Sequence, residues 1–154
     1  YETMARDVHA FINAMQLGKV NIIGFSDGAI ISLILAMEHG DVLRKMTLLG
    51  VNLSPNDFTE ESYQFVKETY EETGDPLFKL MLEQPNIELD AVKSINVPTL
   101  LIAAENDIYK PETFVNLLAA LPDATLKIME GHEHDSYIVE QDILYSDFVE
   151  FFSN

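Results

Sequence analysis

A six-residue run, Val20-Asn21-Ile22-Ile23-Gly24-Phe25, is β-branched and nearly all apolar, and within three residues it gives way to a helical repeat opening at Gly28. A short run of this kind reads as a strand buried on both faces of a parallel sheet. The junction, Gly24-Phe25-Ser26-Asp27-Gly28, is then a sharp strand-to-helix turn with a serine at its apex. A parallel strand cannot close on a hairpin. It needs a crossover back to the same side of the sheet, so the rest of the chain must supply alternating helices and strands.

It does. Met4, Val8, Phe11, Ile12 and Met15 recur at helical spacing through Met4 to Leu17, and Gly18 reads as the cap of that helix. The helix from Gly28 ends with His39 before Gly40, and Met46 to Val51 reads as a second buried strand. Asp57 to Gly74 is acidic and amphipathic, and Asp75 to Leu82 predicts a further short helix. Pro85 and Ile87 to Ile95 lead into a third strand, Val97 to Ala103. Pro111 starts a helix running to about Leu121, Thr125 to Met129 is a fourth strand, and Ile138 to Phe152 a last helix. The pattern predicts one α/β domain over residues 1–154, with a mostly parallel sheet and flanking helices.

Charge narrows the partners. Nine basic against 26 acidic side chains leave a net charge of -17. Nucleic acid and anionic membrane both call for positive surface, so neither is expected. The chain has no cysteine, which removes thiol chemistry, disulfides and cysteine metal sites. No apolar run reaches the roughly 18–20 residues of a membrane span, and a cytoplasmic location is expected. The chain opens on Tyr1 and at once on a helix, which reads as a processed or truncated start.

The serine turn carries the chemistry. A serine on such a turn has strained backbone, so Gly24 and Gly28 are expected to keep its flanks clear of side chains. The following helix presents N–H groups to a developing oxyanion. With these residues, Val20 to Leu53 resembles the nucleophile-elbow region of α/β-hydrolases, in a form shared with their small esterase-like and peptidase-like members. The resemblance extends over essentially the whole chain. It implies an α/β-hydrolase-like fold without its earlier strands, and a serine hydrolase acting on a small-molecule acyl substrate with no metal and no cofactor.

The family order of serine, acid and histidine guides the rest of the assignment. Val97 to Asp107 resembles the strand that delivers the acid, and Asp107 lies just past its end; Glu105, earlier in the loop, is the substitute. The bland alternative is that Asp107 caps the next helix. His132 and His134 both follow the fourth strand. A strand ending near Met129 and a loop over Glu130 to Glu133 favour His134 as the base. Glu133 stands where the family commonly has glycine. The two histidines with Glu130, Glu133 and Asp135 also fit a surface zinc site, but that would leave Ser26 and Asp107 unexplained.

The resemblance further implies that the Asp27 N–H is one oxyanion donor and that a second comes from a segment preceding Tyr1. Loss of one donor typically costs about 100–1,000-fold in rate. The strand Val20 to Phe25 would also present an open edge, so homo-oligomer formation across it is expected. Two alternatives stay open: a piece inactive alone that works with an N-terminal half or second copy, and a homologue that binds a small molecule without turnover. Residues 54–94 resemble a helical cap or lid insertion. Its Phe58, Tyr63, Phe65, Tyr70 and Phe78 fit an acyl or alcohol pocket and the cap's own core equally well.

Overall fold

A computed structural model describes residues 1–153 of the chain. Four parallel strands, β1 (Val20–Phe25), β2 (Leu43–Leu49), β3 (Thr99–Asn106) and β4 (Ala124–Glu133), lie side by side in sequence order. Each successive pair is joined by a helical crossover, as parallel pairing requires. α1 (Glu2–Ala14) precedes β1, and α2 (Asp27–His39) leads from β1 to β2. α3 (Glu60–Thr73), α4 (Pro76–Glu83) and the one-turn α5 (Leu89–Val92) fill the long connection from β2 to β3. α6 (Pro111–Ala120) joins β3 to β4, and α7 (Tyr145–Ser153) closes the described chain. Among the described residues no helix is long and apolar enough to cross a membrane.

The two central strands are the most apolar, and the burial explains it. Leu101, Ile102 and Ala103 of β3 and Met46, Leu48 and Leu49 of β2 are covered on both faces. On one face Leu48 and Leu101 pack with Leu33 and Leu35 of α2. On the other, Leu49 and Ile102 meet Tyr137 and Leu144. Each fully buried side chain of this size contributes roughly 1.5–3 kcal/mol relative to exposure. α2 is apolar nearly all round, with seven of its residues buried, which is why it sits between α1 and the sheet.

Helix boundaries follow local chemistry. Thr59 accepts the Ser62 N–H at the start of α3, and Gly74 ends that helix in the left-handed region. Asp75 caps α4 on the Leu77 N–H, with Pro76 at the first helical position.

Several expected boundaries move. β2 stops at Leu49, because Gly50 turns to φ +54° and leaves extended geometry. α1 ends at Ala14, and Gln16 takes the first left-handed conformation, ahead of Gly18. β4 runs on through Glu133, past the expected end at Met129, by pairing Asn106 with Glu133 after a register shift. The last helix starts at Tyr145, not Ile138. Residues 134–140 and 143–144 form turns, and Glu140 at φ +54° breaks any continuous helix there, while Tyr137 and Leu144 are drawn into the core.

Candidate active site

Ser26 stands at the C-terminal end of β1 with φ 52° and ψ −117°. That backbone is costly for a residue with a Cβ, of order 1–3 kcal/mol, and persists only where neighbours enforce it. Here the Ser26 N–H donates to the Leu49 carbonyl at 2.9 Å, and the Ser26 carbonyl accepts the Ala29 and Ile30 N–H groups of α2. Gly24 is the glycine the turn requires: a Cβ there would lie 2.3 Å from the Gly28 carbonyl oxygen. Gly28 differs from expectation, since a Cβ at its position would meet nothing within 4 Å. Only one of the two flanking glycines is a steric necessity.

The loop after β3 delivers Asp107. One carboxylate oxygen, Oδ2, accepts the Ala104 N–H at 3.2 Å, and Oδ1 accepts the Tyr109 N–H at 3.3 Å. These bonds fold the loop back on itself and leave the Asp107 side chain only 1% exposed. Glu105 turns elsewhere, its Oε2 accepting the Gly131 N–H at 2.7 Å.

His134, the first residue past β4, meets both groups. Its Nδ1 lies 2.7 Å from Asp107 Oδ1 and its Nε2 3.1 Å from Ser26 Oγ. An ionised carboxylate only accepts, so Nδ1 carries the proton and the Nε2 lone pair is left for the serine hydroxyl. The imidazole is 13% exposed, tilted against Phe25 at 4.9 Å and edge-on to Tyr109 at 5.4 Å. His132 is separate: its Nδ1 pairs with Ser136 Oγ at 3.0 Å. Among the described residues no group of three or more histidine or carboxylate side chains is placed to hold a metal ion.

Three side chains 27 to 108 residues apart thus converge at the carboxyl ends of β1, β3 and β4, where parallel sheets place ligands. Asp27 is the first residue of α2, and a helix-start N–H has no partner within its own helix. Its carboxylate Oδ1 accepts the Tyr1 hydroxyl at 2.7 Å.

An open cleft of about 560 Å³ adjoins two of the three residues, Asp107 and His134, and is lined also by Thr59, Ser62, Ile108 and Glu133. Residues 54–94 form its far wall in part. Phe58 is buried with Val66, Tyr109 and Phe114, while Tyr63 and Phe78 pack against that cluster. Phe65 is 64% exposed and, with Phe78 and Met81, borders a separate apolar hollow of about 340 Å³. The aromatics of this segment divide between core and surface.

Two contributors escaped sequence reading. A Cβ on Gly50 would fall 2.6 Å from His134 Cε1, so this glycine makes room for the imidazole. Its signal was a glycine directly after an apolar strand, hidden by carrying that strand through to Val51. Tyr109 had no signal beyond an aromatic two residues after the acid.

Comparison with known proteins identifies the family and similar folds. A model of the alpha/beta hydrolase fold family matches residues 1–77. The serine hydrolase BPHL of Mus musculus is 24% identical over 163 residues, covering 90% of this chain. The chain spans 56% of that relative's length. Among solved structures, MGS-MChE2, an alpha/beta hydrolase enzyme from a lagoon-sediment metagenome, superposes with a TM-score of 0.77 at 20% identity, covering 98% of this chain and 68% of that one. The hydrolase olei00960 of Oleispira antarctica gives 0.79 at 16% identity, over 97% and 71% of the two chains.

Proposed function

The chain belongs to the alpha/beta hydrolase fold family, and on that premise we propose that it is a serine hydrolase acting on a carboxylic ester or related acyl substrate through Ser26, His134 and Asp107. The observation that carries the reading is the relay Ser26 Oγ–His134 Nε2 at 3.1 Å and His134 Nδ1–Asp107 Oδ1 at 2.7 Å. His134 takes the Ser26 proton as Oγ attacks the acyl carbon, and Asp107 holds the tautomer and steadies the imidazolium. The carbonyl π pair moves to oxygen, beside the Asp27 N–H. As that pair returns, the alcohol leaves with the proton from His134. Water then attacks the acyl-enzyme with His134 as base, releasing the acid and Ser26. In this reading residues 54–94 act as a cap over the cleft.

A fluorophosphonate probe tests this directly. It is expected to label the chain once, at Ser26, and Ser26→Ala is expected to lose all labelling. Labelling at another serine, or none, would overturn the assignment.

A second reading, association of the chain with a further strand or copy, is supported by β1. It pairs with β2 alone among the described strands, and its Ile23 is 50% exposed. The charge of -17 opposes self-association at low salt. Sedimentation is expected to show a larger species as salt rises and screens that charge, and Ile23→Lys is expected to abolish it. A monomer at all salt concentrations removes this reading.

A further inference from the structure

We propose that the Tyr109 hydroxyl is a second hydrogen-bond donor to the substrate's carbonyl oxygen, acting with the Asp27 backbone N–H. The inference rests on the serine hydrolase reading and goes beyond it. It names a side-chain donor from within the described residues.

The ring of Tyr109 is fixed from several sides. Its N–H is bonded to Asp107, its backbone forms an antiparallel bridge with Phe58, and its ring tilts against Phe58 at 4.9 Å. It also stands perpendicular to His134, at 86°. The residue is only 2% exposed. With the ring held against Phe58 and His134, its hydroxyl lies within hydrogen-bonding reach of Ser26. Tyr137 offers the contrast: it is equally buried, but its hydroxyl has no hydrogen-bond partner. Packing alone would not select a hydroxyl at position 109, because phenylalanine would fill the same space without a polar group to desolvate.

The protonation state suits a donor. Burial, with the nearby carboxylates of Asp27, Asp107 and Asp57, pushes the Tyr109 phenol well above its ordinary range. The O–H therefore stays intact at neutral pH and on into alkaline solution. No proton leaves Tyr109 during the reaction. As Ser26 Oγ bonds to the acyl carbon, the π pair moves onto the carbonyl oxygen and that oxygen accepts from both the Asp27 N–H and the Tyr109 O–H. A donor already held in place stabilises this charge without reorganising.

The test is Tyr109→Phe in the same chain, which keeps the ring against Phe58 and His134 and removes one oxygen. The labelling rate with a p-nitrophenyl phosphonate, whose phosphoryl oxygen occupies the same place, is expected to fall roughly 100-fold. Hydrolysis of a p-nitrophenyl ester is expected to fall similarly in kcat with KM little changed. The matching thionoester, whose sulfur is a weak acceptor, is expected to lose much less, so the ester-to-thionoester rate ratio narrows. Unchanged phosphonate labelling overturns the proposal, as does an equal loss on ester and thionoester. If the parent chain is not labelled at Ser26 at all, the hydrolase reading itself fails, and the two failures are told apart by that control.

Discussion

Gly50 and the imidazole of His134 are in such close approach that a Cβ on Gly50 would sit 2.6 Å from Cε1 and 2.9 Å from Nδ1. Gly50 also holds φ +54°, a region that L side chains adopt at a cost of about 1–2 kcal/mol. Gly50→Ala is expected to displace the ring and separate it from Ser26. Phosphonate labelling would drop by at least about 100-fold, in line with misplaced reacting groups, while the fold persists. Labelling at the parent rate would show that His134 has room to shift without loss.

The two elbow glycines should behave oppositely. The Gly24 Cβ direction meets backbone, at 2.3 Å from the Gly28 oxygen, and no rotamer change relieves that. Gly24→Ala is expected to lower the melting temperature sharply. Gly28 faces open space within α2, so Gly28→Ala should stabilise by roughly 0.5–1 kcal/mol through helix propensity. Thermal unfolding of both variants decides the matter; equal losses would contradict the geometry.

His134 and His132 separate by function. His134→Ala is expected to remove ester hydrolysis by several orders of magnitude, since it takes away the base. His132→Ala loses a contact with Ser136 and should keep most activity. Kinetics on a p-nitrophenyl ester would reveal a reversed pair at once.

Alkaline pH should act on buried phenols. Tyr1, Tyr109 and Tyr137 are all shifted upward, in each case chiefly by burial, with hydrogen bonding to Asp27 adding at Tyr1. A raised folded-state value means the folded chain holds these protons more tightly than the unfolded chain. Their stabilising effect is therefore complete below the unfolded value of about 10 and declines as pH rises beyond it. Far-ultraviolet circular dichroism and tyrosinate absorbance followed together should show these tyrosines ionising only as the chain unfolds. Full titration of all six tyrosines in a folded chain would refute this.

The order of strands and helices, their parallel pairing, and the placing of Ser26 at a strand-to-helix turn were legible in the sequence, because a run such as Leu100 to Ala104 carries burial on both faces in its composition. Val20 to Phe25 reads the same way but leaves Asn21 and Ile23 exposed, since β1 is an edge strand of the described sheet. The resemblance to the family, together with chain order, pointed to Asp107 and His134. What the chain could not announce was set by contacts across long separations. β4 extends to Glu133 because Asn106 is there to pair with it, and Ile138 fails to start a helix because Tyr137 and Leu144 gain more by burial under β2 and β3. Gly28 and Gly50 look alike in sequence, but only the fold puts His134 over one and leaves open space over the other. Tyr109 gains its relation to Ser26 in the same way. Local propensity is written in neighbouring residues, whereas the space around a side chain is decided by residues many positions away.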